Sequence, residues 1–244
     1  MMQARGPEAL YVEEPSMELL AELGWTRVDA FFEVLGAGGT LGRDSQHEVV
    51  LSHRVRAALR RLNPADVPDG SIQEAIDAIT RDRSVMDRVR ANRECYDLLR
   101  DGYPAEWMDE RGEKRGELLR YLDLKDPTAN DLLAVQQLWL KGPLHSRRLD
   151  VALFVNGIPL VLMEFKEPNE DVKKGFDDNV TDYRDAIPQL FVPNCFVLIS
   201  NGSQAKVGAS YAPWDFFSDW LVIDAMGKRG AIALETALRG TCDP

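Results

Sequence analysis

Asp150, Glu164 and Lys166 stand at the ends of the most apolar stretch of this 244-residue chain, RRLDVALFVNGIPLVLMEFKEP (147–168). Buried charge is costly unless it is paired or bound to a metal. Two carboxylates converging at one end of a sheet make a hard, oxygen-rich site. Such a site suits Mg²⁺, with Mn²⁺ as a substitute, because Mg²⁺ takes one or two carboxylates and completes its shell with water and phosphate oxygens. The backbone carbonyl of Phe165 lies between Glu164 and Lys166 and can add a ligand. Lys166 could then help deprotonate an attacking water and neutralise charge on a phosphorane-like transition state. Metal activation of water plus charge stabilisation is the general recipe for phosphodiester hydrolysis.

The stretch reads as a hairpin of two strands, 149–155 and 158–166, turning at Asn156-Gly157. Glu164 and Lys166 are two apart on a strand and share a face. Whether Asp150 joins them depends on the turn. A clean two-residue turn pairs Val155 with Ile158 and sets Asp150 opposite Met163. A three-residue loop, Val155-Asn156-Gly157, closed by a left-handed Gly157, pairs Phe154 with Ile158 and puts all three charges on one face. Pro159 cannot donate to the ladder, which favours an irregular turn end. The sequence therefore predicts the bulged or odd-length turn.

Spacing alone is a weak signal, because an acid-x-Lys triplet occurs three times: Asp123-Leu124-Lys125, Glu164-Phe165-Lys166 and Asp171-Val172-Lys173. Surface ion pairs are the ordinary explanation and contribute little. Only the second follows an apolar hairpin with an aspartate one strand earlier.

The elements that must position these residues follow from patterning. EEPSMELLAELGW (13–25) reads as a helix, with Pro15 in its first turn and Gly24 as its stop. GAGGTLGRDSQ (36–46) reads as a flexible connector; its glycines fit no phosphate-binding frame. Helices are expected at about 45–62, where Ser45 and Glu48 form a capping box, at 71–79, and in a longer run to Arg100. GELLRYLDL (116–124) and NDLLAVQQLWL (130–140) read as strands, though their leucine content also admits helices. A helix at 170–187 and strands at 194–200 and 204–210 follow. The tail ETALRGTCDP carries no structural signal. The expected fold is α/β, a mixed sheet flanked by helices.

Composition sets outer bounds. Apolar residues make up 45% of the chain and charged residues 28%, with a net charge of −11. That acidity opposes a simple nucleic-acid-binding module. Local basic runs remain at 54–61, 81–93 and 145–148; the first two read equally as solvated helix faces. No apolar run reaches the roughly 18 residues of a membrane span, and the opening MMQARGPEAL lacks a signal-peptide core. Cys95, Cys195 and Cys242 form no close pair, which argues for a reducing, cytoplasmic setting. His47, His53 and His145 lack metal-ligand spacing; the first two read as helix surface.

The phrase running from Asp150 through Leu153-Phe154-Val155-Asn156-Gly157-Ile158-Pro159-Leu160-Val161 to Glu164 and Lys166 resembles the N-terminal nuclease domain of the restriction subunit (HsdR) of type I restriction-modification enzymes. VEEPSMELLAELGW, EVVLSHRVRAALRRLNP, NDLLAVQQLWL and FVLISNGSQAKVGAS follow that family's order, so the resemblance covers nearly the whole chain. It implies a PD-(D/E)xK, RecB-like endonuclease: one nuclease domain over 1–244, with a mostly helical part at 45–110 and the sheet and catalytic core at 116–210. It implies Mg²⁺-dependent cutting of unmodified double-stranded DNA beside an ATP-driven translocase. By position, Asp150 and Glu164 become metal ligands and Lys166 the catalytic lysine. The family's Gln-x-x-x-Tyr helix motif appears here as Asn179 and Tyr183, one methylene short at the first position. A further acidic ligand from the first helix falls on Glu13, with Glu14 close behind, although both also suit a helix N-terminus. Arg147 and Arg148, beside His145, stand where phosphate contacts would fall.

Implied partners are double-stranded DNA, the methyltransferase (HsdM) and specificity (HsdS) subunits, and a C-terminal helicase motor. ATP would bind only in that motor, since no Walker loop occurs in these residues, and no membrane role is expected. A stand-alone repair or defence nuclease, a docking module with a vestigial acidic cluster, and a metal-free acid/base hydrolase are the competing readings.

Overall fold

The apolar double run forms the middle of a seven-stranded mixed sheet. The computed structural model describes residues 6–109 and 111–244. The opening MMQAR and Glu110, which the ranges 1–244 and 45–110 include, lie outside the described residues.

A π-helical turn, Ala9–Glu13, leads into α1 (Glu14–Glu22), which stops at Gly24, where φ is +94°. Strand β1 (Thr26–Asp29) follows, then a long loop, then α2 (Ser52–Leu62), α3 (Asp69–Thr80) and α4 (Arg88–Asp101). A separate hairpin, β2 (Tyr103–Met108) with β3 (Lys114–Leu119), comes next. Then come β4 (Leu132–Lys141), β5 (Ser146–Val155) and β6 (Ile158–Phe165). A π-helical turn, Gly175–Val180, runs into α5 (Thr181–Ala186), followed by β7 (Phe196–Ser200), β8 (Ala205–Ala209), the short β9 (Ser218–Asp219) and α6 (Ala233–Thr241). The main sheet runs β1-β4-β5-β6-β7-β8-β9. Its parallel pairs are β1 with β4 and β6 with β7; the rest are antiparallel.

Strand alternation sorts the sheet into two cores. Leu162, Phe154 and Val197 join Val180 and Tyr183 beneath α5. Met163, Phe165 and Leu153 join Met17, Leu20 and Leu238 beneath α1 and α6. Helices α2–α4 and the β2–β3 hairpin close a third core around Ile72, Cys95 and Tyr121. Each fully buried aliphatic or aromatic side chain contributes about 1.5–3 kcal/mol, so the working strands stand on a mount packed from both faces.

Several expectations need correction. The helix placed at 45–62 begins at Ser52, because the Leu51 N–H is held by the Gly157 carbonyl at 2.8 Å; the side chains of Ser45 and Glu48 bond only within a turn. The stretch 116–124 is a strand only to Leu119, and it pairs outside the main sheet. The tail is helical: α6 buries Leu234, Ala237 and Leu238 against α1. The stretch 36–46 is a loop, but a pinned one, since Arg43 within it is fully buried. The segment 130–140 is a strand, and the strand expected at 194–200 is β7, which crosses over to lie parallel to β6. The three cysteines are free. Among the described residues, no helix is long and apolar enough to cross a membrane.

Candidate active site

The turn at Asn156-Gly157 is of the two-residue kind, contrary to the three-residue loop expected. Val155 pairs with Ile158, with φ of +52° at Asn156 and +83° at Gly157. These angles fit a type I′ turn. Asn156 is held there by its own amide, which accepts from Arg61 and the Asp131 N–H and donates to the Tyr121 carbonyl and Asn130. The irregularity lies further along β6. Phe154 pairs with Pro159 but Leu153 pairs with Val161, so Leu160 is the extra residue of a bulge. Its carbonyl turns outward to accept from the Cys195 N–H at 2.7 Å and the Asn194 amide at 3.2 Å.

That bulge shifts the register by one. Val151 stands across from Met163, and continuing one step sets Asp150 across from Glu164. Pairing stops there, and the Asp150 carboxylate takes the ladder's place by accepting from the Phe165 N–H at 2.8 Å. The expected convergence is therefore reached, through Leu160 rather than through the turn.

Glu164 is 1% exposed. Its Oε1 accepts from the Lys166 ammonium at 2.8 Å, and its Oε2 lies 3.1 Å from the Tyr183 hydroxyl. Lys166 also donates to the Phe165 carbonyl at 2.9 Å. Burial lifts the Glu164 carboxyl well above the ordinary range and the nearby Asp150 charge adds to this, while Lys166 and Tyr183 pull it back. Burial likewise raises Asp150, partly offset by the Phe165 N–H and by Lys166 and Arg148. Burial alone would lower Lys166, but the charge and hydrogen bond of Glu164, together with the charges of Glu8 and Asp150, outweigh it and the net shift is upward. All three shifts express one imbalance, two buried carboxylates sharing a single ammonium.

The helix that follows closes the site. Gly175 lies so near that a Cβ there would meet Ile199 at 2.7 Å, Glu164 at 3.3 Å and Lys166 at 3.5 Å. One turn on, the Asn179 amide reaches the Tyr183 hydroxyl at 3.4 Å, and that hydroxyl also lies 3.1 Å from the Arg148 carbonyl. The π-helical turn that carries Asn179 is a feature frequent at functional sites.

The remaining residues distribute unevenly. Glu13 is buried and accepts twice from the Gln137 amide, at 2.9 and 3.0 Å. Gln137 has φ of +57° and is the β4 residue skipped in the pairing opposite Asp150. Glu14 pairs with Arg27 at a more exposed position. Arg147 is engaged by Asp182. Arg148 is exposed on β5. Among the described residues, no side-chain hydrogen bond joins His145 to the site; its charge bears on Asp182, the partner of Arg147. Sequence reasoning missed Glu8. Its carboxyl is pushed up to about 7, chiefly by burial and next by Asp150, with Lys166 opposing. Among the described residues, no cluster of three or more His, Cys, Asp or Glu side chains is arranged to hold a metal; the arrangement here is two carboxylates and a main-chain carbonyl.

Comparison with known proteins adds an independent line. Residues 7–216 match the family model described as Type I restriction enzyme R protein N terminus. The chain is 31% identical over 242 residues to the Type I restriction enzyme HindI endonuclease subunit of Haemophilus influenzae, covering 96% of this chain and 22% of that one. It is 28% identical over 183 residues to a Methanocaldococcus jannaschii chain named as the MjaIXP type I restriction endonuclease subunit, covering 73% of this chain and 17% of that one. The chain thus spans about a fifth of the length of these curated relatives.

Proposed function

Because the chain belongs to the type I restriction enzyme R protein N-terminal family, we propose that it is the DNA-cutting module of a longer restriction subunit, hydrolysing phosphodiester bonds of unmodified double-stranded DNA. The observation that carries this reading is the meeting of Asp150, Glu164 and Lys166 where β5 and β6 part.

The donor set fits a hard divalent cation such as Mg²⁺. Asp150, Glu164 and the Phe165 carbonyl are all oxygen donors, and the raised pKa of both carboxyls marks a site short of positive charge. A bound Mg²⁺ would supply polarisation of the phosphate and an acidified water. Lys166 contributes the fixed ammonium that offsets charge building on the phosphate oxygens. Tyr183 steadies Glu164 through its hydroxyl. Gln137 braces the β4 side, holding Glu13 beside the residue across from Asp150.

In this reading residues 1–244 act as one nuclease domain in the cytoplasm. A downstream helicase motor supplies ATP-driven translocation, and methyltransferase and specificity subunits supply target choice. The acidic net charge accords with a module that leaves most of the DNA grip to those partners. The test is Lys166→Ala: DNA cutting should vanish while divalent-cation binding, read by calorimetry, persists. Cutting that survives the substitution sinks the assignment.

A further inference from the structure

The cations around the site are mostly spoken for. Lys166 is paired with Glu164, Arg147 with Asp182, Lys173 with Asp177 and Lys174 with Glu170. Arg148 differs. It is exposed, and among the described residues no carboxylate lies within ion-pair distance of it. Its guanidinium instead lies over two rings, 5.3 Å from the centroid of Phe31 and 5.8 Å from that of Trp139. Trp139 is its direct partner across β4 and β5. Phe31 meets Phe32 edge-on at 4.6 Å, and Phe32 is 87% exposed.

An exposed phenylalanine is unremarkable on a slack loop. This loop is not slack. Directly after Phe32, Glu33 forms a two-pronged ion pair with Arg43, with side chains 2% and 1% exposed. Arg43 also donates to the Glu48 carbonyl at 2.8 Å and the Trp139 carbonyl at 2.7 Å. Leu41 is sunk in the core beneath the sheet. A buried ion pair is weak evidence for stability, and its best-attested use is to fix geometry. Here it ties the Phe32 loop to the strand residue on which Arg148 rests.

We infer that Phe31, Phe32, Trp139 and Arg148 form a ledge for the DNA strand flanking the scissile phosphate, with Arg148 on a phosphate and Phe32 against the sugar and base. This rests on the nuclease reading and deepens it. Three observations support it. Arg148 is two residues from Asp150 on one strand, so the ledge adjoins the site. Its charge, with no carboxylate within ion-pair distance among the described residues, complements a phosphate backbone on an otherwise acidic chain. Cationic and aromatic groups side by side are the general chemistry of strand binding, charge tracking the backbone and rings meeting bases.

The experiment measures binding of a short mixed-sequence duplex to this chain at low ionic strength, with Ca²⁺ replacing Mg²⁺, over a series of salt concentrations. Both side chains are exposed, so Phe32→Ala and Arg148→Ala should fold as the parent does. Each is expected to weaken binding about tenfold. Arg148→Ala should also lower the slope of log affinity against log salt by about one, the signature of one lost phosphate contact, whereas Phe32→Ala should leave the slope unchanged. Parent-like binding by both variants, with Lys166-dependent cutting intact, overturns the ledge and leaves the nuclease reading standing. Normal DNA binding with lost association to another protein also overturns it, and marks the ledge as a protein-docking face. A restriction complex carrying the parent chain that neither binds nor cuts DNA sinks both.

Discussion

The Lys166 ammonium lies 2.8 Å from Oε1 of Glu164, and it also reaches the Phe165 carbonyl at 2.9 Å. It therefore sits between two of the oxygens assigned to a divalent cation. Lys166→Ala should leave Glu164 buried beside Asp150 with no ammonium. Breaking a buried pair costs about 3–5 kcal/mol, less where the stranded acid can take a proton. The variant should lose about 2–3 kcal/mol near neutral pH without metal, and recover much of it with Mg²⁺. Thermal unfolding with and without Mg²⁺ reads both. A loss that Mg²⁺ leaves unchanged would place the cation elsewhere.

Gly157 has φ of +83°, and a Cβ there would sit 2.7 Å from the Leu51 carbonyl oxygen. Gly157→Ala should cost about 2–3 kcal/mol through backbone strain and crowding. It should not reduce cutting per folded molecule, because Leu160 rather than the turn sets the register of Asp150. Deleting Leu160 should keep Asp150 across from Glu164, because the pair of Phe154 with Pro159 would then be followed directly by that of Leu153 with Val161. Stability should fall with the lost bonds from Cys195 and Asn194, while cutting per folded molecule survives. Denaturant unfolding alongside cleavage assays separates the two effects.

The bulge also marks how far the sequence could be read. The convergence of Asp150, Glu164 and Lys166 was legible because acid-x-Lys spacing fixes two of them on one face. The apolar runs around them announced central strands. The bulge was not legible, since what draws the Leu160 carbonyl outward is the Cys195 N–H and the Asn194 side chain, over thirty residues away. Pro159 hinted at irregularity without locating it. The start of α2 was misplaced for the same kind of reason, a long-range bond from Leu51 to Gly157 overriding a local cap signal at Ser45. Glu8 gave no sign in the sequence, for its burial beside Asp150 is purely tertiary. Arg43 read as part of a flexible glycine-rich connector because its partner Glu33 lies on the far side of that loop.

Gly175 is where the helix after Lys166 comes closest to the site. Its replacement by Ala would press a methyl group on Ile199, Glu164 and Lys166. Glu164 and Lys166 can yield by a few tenths of an ångström, but the buried, β-branched Ile199 must shift further, so stability should fall about 1–3 kcal/mol. Catalysis is less forgiving, and a displacement approaching 1 Å costs about 100-fold. Gly175→Ala should therefore fold, bind DNA and cut poorly. Single-turnover cleavage and a DNA-binding isotherm on the same preparation check this; equal losses in both would mean the packing has failed more widely.

Tyr183 steadies the charged form of Glu164 through a 3.1 Å hydroxyl contact that holds the Glu164 pKa down against burial and Asp150. Tyr183→Phe removes that donor with little change of shape. Glu164 should then hold its proton to higher pH. The acidic limb of the cleavage–pH profile should move toward higher pH, with the plateau rate less affected. A plateau that collapses with an unmoved limb would assign Tyr183 to the DNA instead.

Glu8 offers a test of the electrostatics that needs no DNA. Its pKa rises from 4.5 to about 7, so the folded chain holds this proton more tightly than the unfolded one. The associated stability is complete below pH 4.5, declines as pH rises through 7, and is gone above that. Glu8→Gln is uncharged throughout and lacks the decline. Glu8 is only half-buried, so solvent screening reduces the full linkage figure to about 1–2 kcal/mol. Denaturant unfolding should therefore show the variant matching the parent near pH 4 and exceeding it by that amount at pH 8. Divalent cation should narrow the pH 8 gap by offsetting the Asp150 charge that Glu8 feels. An equal difference at both pH values would show that Glu8 acts through packing, and would remove it from the acidic cluster.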